Sequence, residues 1–139
     1  MQAAMRAASV QLLRDFAAYA DIKLAVYAGR PKTIAPPHAF IDRLTETVDY
    51  TALRQRHPRA EIVVLHGLFD SGDAVAQKDQ FVDGFLDWVR DNIHAAGTNT
   101  TVGVVAVEDE PNYVPDWQAP EVQRSYYASR ITLEGLALD

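Results

Sequence analysis

The hydrophobic positions of this chain recur with two different periods, and the longer period predicts two helices. Between residues 3 and 20, apolar side chains fall at helical spacing, which indicates an amphipathic helix that ends near Asp21. Apolar residues also recur at intervals of three and four between residues 74 and 96, and they predict a second, stronger helix. Asp73 is placed to cap the start of this second helix, and Gly97 is placed to cap its end.

The shorter period, alternation at every second residue, predicts strands in the first half of the chain. Residues 22–26 alternate in this way and indicate a half-buried strand. Residues 39–50 alternate as well, so Phe40 and Leu44 are predicted to share one face of a strand while Arg43 lies on the other. We expect the apolar face of that strand to pack against a helix.

Apolar and β-branched runs predict the remaining strands. The run at residues 61–67 is nearly continuous and is the best candidate for a central strand, and the polar segment 54–58 is predicted as a break before it. Another strand is predicted at residues 100–107, and the acidic segment 108–110 is predicted to lie just after its end. Residues 122–135 predict the last strand.

The element order that results is α-β-β-β-α-β-β, within a single domain of residues 1–139. This order contains too few crossover helices for a doubly wound parallel sheet. The sequence therefore predicts an α+β fold, with one mixed, largely antiparallel sheet packed against two main helices.

The composition narrows the classes of function. Thirteen basic residues stand against nineteen acidic ones, for a formal charge of -6, which argues against a general nucleic-acid binder. The absence of cysteine excludes disulfides, thiolate zinc sites and cysteine nucleophiles. No apolar run approaches the length needed to span a membrane, so we expect a soluble protein with no membrane contact.

The strongest hint of an enzyme is the segment 63–72, where a predicted strand leads into His66-Gly67 as in the oxyanion-hole segment of α/β-hydrolases. The Gly-x-Ser-x-Gly nucleophile elbow of those enzymes is missing, so no catalytic residue is predicted. His66, Asp70 and Asp73 could hold a metal only if they converged, and helix capping explains Asp73 more simply. No glycine-rich phosphate loop occurs, so we expect no metal and no cofactor.

A loop made stiff by three prolines precedes the last strand and carries Tyr113 and Trp117. Stiff aromatic loops make good binding anchors, but the same loop could fold back and place Trp117 against its own sheet, and both alternatives remain open. In the last strand, alternation places polar side chains opposite the core, either on a solvated face or at a subunit interface. The candidate interaction residues are Tyr113, Asp116, Trp117, Tyr126, Arg130 and Glu134.

Turn, core and loop motifs spread over most of the chain occur in a recognisable order. They are Gly29-Arg-Pro31 followed by residues 36–42, Arg54-Gln-Arg-His-Pro58, residues 77–89, His94-Ala-Ala-Gly97, Tyr113-Val-Pro-Asp-Trp117 and residues 126–135. None of them is a catalytic motif. In these motifs and their order, the chain resembles the tail terminator proteins of long-tailed bacteriophages, also called tail completion or minor tail proteins.

The resemblance implies a structural protein of the virion with an α+β fold, assembled in the host cytoplasm and located where the tail meets the neck. Its implied partners are further copies of itself in a six-fold ring, the tail tube protein and the head-tail connector. DNA would pass through such a ring without specific binding, since like charge does not retain it. A head-tail connector or head-closure neck protein is the main alternative, and a small hydrolase is a further one.

Overall fold

The structure, a computed structural model, describes residues 2–48, 55–91 and 101–138. A short 3-10 helix at Pro120–Val122 precedes the last strand. The elements in chain order are α1 (Gln2–Ala20), β1 (Ala25–Tyr27), β2 (His38–Val48), β3 (Gln55–Leu68), α2 (Ala74–Arg90), β4 (Thr101–Tyr113) and β5 (Tyr126–Leu138). The predicted α+β fold and its order α-β-β-β-α-β-β are therefore confirmed.

The five strands form one mixed sheet with the spatial order β1-β2-β3-β5-β4. β1 runs parallel to β2, and the other three neighbouring pairs are antiparallel. The apolar run at residues 61–67 lies in β3, at the centre of the sheet, as predicted. β5 lies between β3 and β4, so the last strand along the chain is an inner strand of the sheet.

Both helices cover the same face of the sheet, and the main hydrophobic core lies beneath them. The ring of Phe16 on α1 contacts the rings of Phe81 and Phe85 on α2, each at a centroid distance of 5.3 Å and near a right angle. Edge-to-face pairs of this kind add about 1 kcal/mol beyond the area they bury. The fully buried residues that line the core between helices and sheet include Met5, Leu13, Phe16, Phe85, Ile62, Val64, Ile131 and Leu133.

The opposite face of the sheet, called here the far face, carries a second and smaller core at one end only. Phe40, Val63, Leu65, Tyr126 and Ala128 are buried there, and Ile34, Tyr113 and Trp117 pack over them from the neighbouring loops. The other end of the far face is covered by none of the described residues and presents polar side chains. The described residues therefore cover one half of the far face.

A β-bulge in β2 overturns one prediction about side-chain direction. The pairing of β2 with β3 shifts between Ile41 and Arg43, which inserts Asp42 as an extra residue. Alternation therefore changes phase at Asp42, so Phe40 packs on the far face while Leu44 packs against the main core. The prediction that Phe40 and Leu44 share one face is wrong.

Several predicted strand boundaries are also wrong. β1 is shorter than the predicted 22–26 segment and lies at Ala25–Tyr27. The predicted polar break at 54–58 belongs to β3 from Gln55 onward, with Pro58 paired to Glu46 of β2.

The later boundaries shift in the same way. β4 does not end before the acidic segment 108–110 but continues through it to Tyr113, because those residues pair with β5. The last strand begins at Tyr126 rather than at residue 122. Asp73 precedes α2 as predicted, but its side chain makes no capping hydrogen bond, and the predicted cap Gly97 lies outside the described residues.

Candidate interaction surface

The proline loop that carries Trp117 folds back onto the sheet of its own chain. The half-buried Trp117 ring meets the Phe40 ring edge-on at 5.2 Å, and it lies 6.4 Å from the Tyr113 ring. Its indole Nε1 donates a hydrogen bond of 2.9 Å to the Pro31 carbonyl oxygen. Of the two alternatives left open by the sequence, the structure has the folded-back loop.

Two loops are joined around this tryptophan. The Arg30 guanidinium lies over the Trp117 ring at 5.0 Å from its centroid, a cation–π contact. The Gln118 side chain donates to the Lys32 carbonyl oxygen at 3.1 Å, and the Gln123 side chain donates to the Gln118 carbonyl oxygen at 2.8 Å. Both polar and aromatic contacts hold the two loops together. The loops that cover this half of the far face are therefore an integral part of the fold.

Arg130 occupies the centre of a charged network on the far face. Its Nε lies 2.6 Å from Glu110 Oε1 and its Nη1 lies 3.0 Å from Asp42 Oδ2, while the other oxygen of Asp42 accepts from Arg30 at 3.0 Å. Burial alone would lower the pKa of Arg130, but the hydrogen bonds that its guanidinium donates to Glu110 and Asp42 outweigh burial and raise that pKa. The guanidinium is therefore charged and is shared between two carboxylates of its own chain.

The remaining candidates differ in how far they reach solvent. Tyr126 is only 5% exposed and belongs to the smaller core. Tyr113 is half-buried, and burial, followed by the charge of Asp42, raises the pKa of its hydroxyl to about 12 against the opposing charges of two arginines. Glu134 accepts a hydrogen bond from Arg59 Nε at 2.7 Å, and Asp116 is exposed. The fold thus brings Tyr113, Trp117 and Tyr126 together, and any contact they make with another protein stays a prediction.

The uncovered half of the far face is a shallow depression of about 410 Å³. Its charges are mixed and largely solvated: the Arg43 side chain is 70% exposed and lies 3.9 Å from Glu61, and the Arg59 side chain is 54% exposed. We call this depression the open surface; its lining includes Arg43, Thr45, Arg59, Glu61, Val105 and Thr132.

None of these lining residues is among the candidate interaction residues of the sequence, and Val105 is the one whose exposure the sequence pattern hides. It lies at a bulge in β4, where the register with β5 shifts between Val104 and Ala106, and its side chain is 50% exposed. Alternation within an apolar run gives no sign of such an outward residue, because the bulge that exposes it is a feature of strand pairing. Among the described residues, β4 pairs with β5 alone, so its outer edge is also open.

A buried pair formed by His66 and Ser129 was also missed. His66 Nε2 and Ser129 Oγ are 2.9 Å apart across β3 and β5, and the two residues are 4% and 0% exposed. Burial, and to a smaller extent the charge of Lys78, lower the pKa of His66 from 6.5 to about 4, while Asp109 acts in the opposite direction. The ring is therefore neutral at pH 7.

Serine and histidine at this distance are two parts of a nucleophilic site, but access is also required. His66 lines a cavity of about 270 Å³ together with Gln77, Gln80 and Phe81, whereas Ser129 does not line it. The geometry thus satisfies two buried polar groups by a mutual hydrogen bond.

The described ranges hold no cluster of three or more His, Asp or Glu side chains suited to a metal ion. Neither α1 nor α2 has the length and apolar character of a membrane-spanning helix.

Comparison of the chain with models of known protein families and with curated protein sequences gave no match.

Proposed function

We propose that this protein is a tail terminator of a long-tailed bacteriophage, a ring that caps the finished tail tube and offers the attachment surface for the head connector. The resemblance of the sequence motifs suggests this role. The observation that carries it is that two unlike surfaces, the outer edge of β4 and the open surface, are left free by the described part of the chain. A terminator needs at least two such surfaces, one for the neighbouring copy in its ring and another for the tail tube or the connector.

The outer edge of β4 is the better candidate for the contact between copies. A long open edge is normally protected by charge, proline or a covering element, because its free N–H and C=O groups pair readily with another strand. Residues 108–111 supply such protection with three acidic residues and a proline, but residues 101–107 carry no charge at all. An uncharged edge with Val105 half-exposed beside it is a suitable site for the next copy.

The open surface suits a different contact, either with the tail tube or with the connector. It combines two arginines with Glu61 and the nearby Glu134, and all four side chains are at least 30% exposed. A polar, mixed-charge surface of this kind matches the rim of a protein interface more than its apolar centre. It can therefore hold a partner without exposing a large hydrophobic area before assembly.

The test uses a phage that lacks the gene and is supplied with the protein from a plasmid. Without the protein we expect heads and tail tubes that do not join, and tubes of variable length, because stacked rings present the same surface after every addition. Wild type should restore joined virions. Val105→Asp should not, since Val105 lies beside the β4 edge and also lines the open surface, so a charge there would disturb a contact that assembly needs, whereas Val122→Asp changes an equally exposed valine elsewhere and should restore them.

Thermal melts of both purified variants show whether a failure to restore joined virions comes from misfolding of the variant. Electron micrographs in which the deletion lysate contains uniform tails already joined to filled heads would overturn the terminator role. Equal rescue by the two valine variants would instead overturn the assignment of assembly contacts to the β4 edge and the adjoining open surface.

A further inference from the structure

A groove of about 750 Å³ runs between the ends of the two helices, on the side of the molecule away from the far face. Its apolar floor consists of Phe16 with Tyr19 and Trp88, whose rings lie 6.4 Å apart at a tilt of 33°. Tyr19 is 74% exposed, the largest exposure of any large hydrophobic side chain described. Gly84 also lines the groove, and a Cβ at that position would lie 3.4 Å from the Phe16 ring, so the absence of a side chain keeps the groove deep.

The charge at this groove is negative. Among the described residues that line it, Asp87 and Asp91 are acidic and Arg90 is the one cation. The C-terminal ends of both helices also lie there, since Ala20 is the last residue of α1 and Arg90 the last of α2. Helix C-termini carry partial negative charge, so two of them and two carboxylates favour a cation at the same place.

The acidic residues of α2 are unfavourable for the helix itself. Asp79, Asp83 and Asp87 of α2 and Asp91, which directly follows the helix, stand at intervals of four, and like charges at this spacing oppose helix formation. Asp87 and Asp91 are doubly unfavourable because they stand at the negative end of the helix dipole. A cation bound in the groove would relieve both effects.

We propose that this groove binds a basic segment of a partner protein, with an arginine or lysine side chain over the Tyr19 and Trp88 rings and next to Asp87. Aromatic faces attract such cations, and apolar neighbours of the basic residue would cover the rest of the floor. The volume is larger than one side chain requires, which favours a peptide segment over a free ion. The proposal is independent of the proposed function, because it rests on the helices and not on the sheet.

The test is a nuclear magnetic resonance titration of the ¹⁵N-labelled protein with an acetylated, amidated peptide Leu-Arg-Leu-Arg-Leu. The chain has only two tryptophans, so two indole signals report on two places at once. We expect the Trp88 signal to move and to saturate, while the Trp117 signal on the far face stays in place. Asp87→Asn should weaken binding about fivefold, as the loss of one favourable charge contact predicts, and Arg90→Gln should strengthen it about threefold.

Asp83→Asn is the matched control, because it makes the same change of charge on the same helix outside the groove, and it should alter the affinity less than twofold. The proposal is overturned if the Trp88 signal does not move at millimolar peptide, or if the peptide with glutamine in place of arginine binds equally. It is also overturned if Asp83→Asn and Asp87→Asn weaken binding alike, which would indicate attraction to net charge only. Movement of the Trp88 signal with protein concentration alone would assign the groove to a second copy instead.

Discussion

Protonation of His66 should destabilise the fold as the pH falls below the ordinary titration range of histidine. The ring is buried against Phe81 and hydrogen-bonded to Ser129, and its pKa is lowered from 6.5 to about 4. A pKa that is lower in the folded state means that the unfolded chain binds the proton more readily. The stability from neutral His66 is therefore fully present above pH 6.5 and is lost as the pH falls towards 4.

The magnitude follows from the size of this pKa difference. A difference of about 2.5 units corresponds to about 3 kcal/mol of unfolding free energy once the pH is below both values. Between neutral pH and about pH 5, the part of this loss that should be observed is about 2 kcal/mol. His38 also has a pKa lowered by burial. The protein as a whole is therefore expected to lose more unfolding free energy on acidification than His66 alone contributes.

The assay is urea unfolding of wild type and His66→Gln at several pH values between 7 and 5. Glutamine has no charge to gain and can still reach Ser129, so the variant should be less stable at pH 7 but should lose about 2 kcal/mol less than wild type on acidification. The comparison removes the contribution of every group shared by the two proteins. Parallel stability curves for wild type and variant would refute the claim that His66 is held neutral by burial.

Replacing Trp117 by alanine should lower the free energy of unfolding by about 3 kcal/mol, because the ring packs on Phe40 and its indole is hydrogen-bonded. A thermal melt checks this, and an unchanged melting temperature would show that the loop does not need its tryptophan. Arg130→Ala should cost about 2 kcal/mol, since it removes the cation between two partly buried carboxylates. The control Arg59→Ala breaks an exposed ion pair and should cost less than about 1 kcal/mol, so equal losses in urea unfolding would contradict the reasoning.

Local periodicity was sufficient to predict the helices and the class of the fold. The helix of residues 3–20 matches α1 closely, and the second helix starts at Ala74 as predicted but ends at Arg90 rather than at residue 96. The run at 61–67 is a central strand as predicted, because a strand buried on both faces is apolar at nearly every position. These features depend on neighbours along the chain, and so the sequence carries them directly.

The errors arose where a partner strand decides the structure. Pro58 suggested a break, since proline cannot donate to a ladder, yet it lies within β3 because β2 and β5 hold the strand on both sides. The bulge at Asp42 reversed the faces of Phe40 and Leu44. Asp42 at this bulge pairs with Arg130, which belongs to a strand far away along the chain, and no local pattern records that contact.

The candidate residues show the same division between local and distant information. Alternation placed Arg130 and Glu134 opposite the core, where the structure also has them. The two alternatives for Trp117 could not be separated, because the ring is held by Pro31 and Phe40, which are both distant in sequence. The His66–Ser129 hydrogen bond could not be predicted from the sequence for the same reason, because the pairing of β3 with β5 brings the two side chains together.

The position of β5 between β3 and β4 has a consequence for how the chain folds during its synthesis. The ribosome makes β5 last of the five strands, so β3 and β4 both lack a neighbour until it emerges. Closing the sheet then requires contacts between residues about seventy positions apart, such as Ile62 with Ile131, and non-local pairing of this kind is slow. During that interval the apolar side chains of β3 are exposed, and a nascent chain arrested before β5 would be a substrate for chaperones.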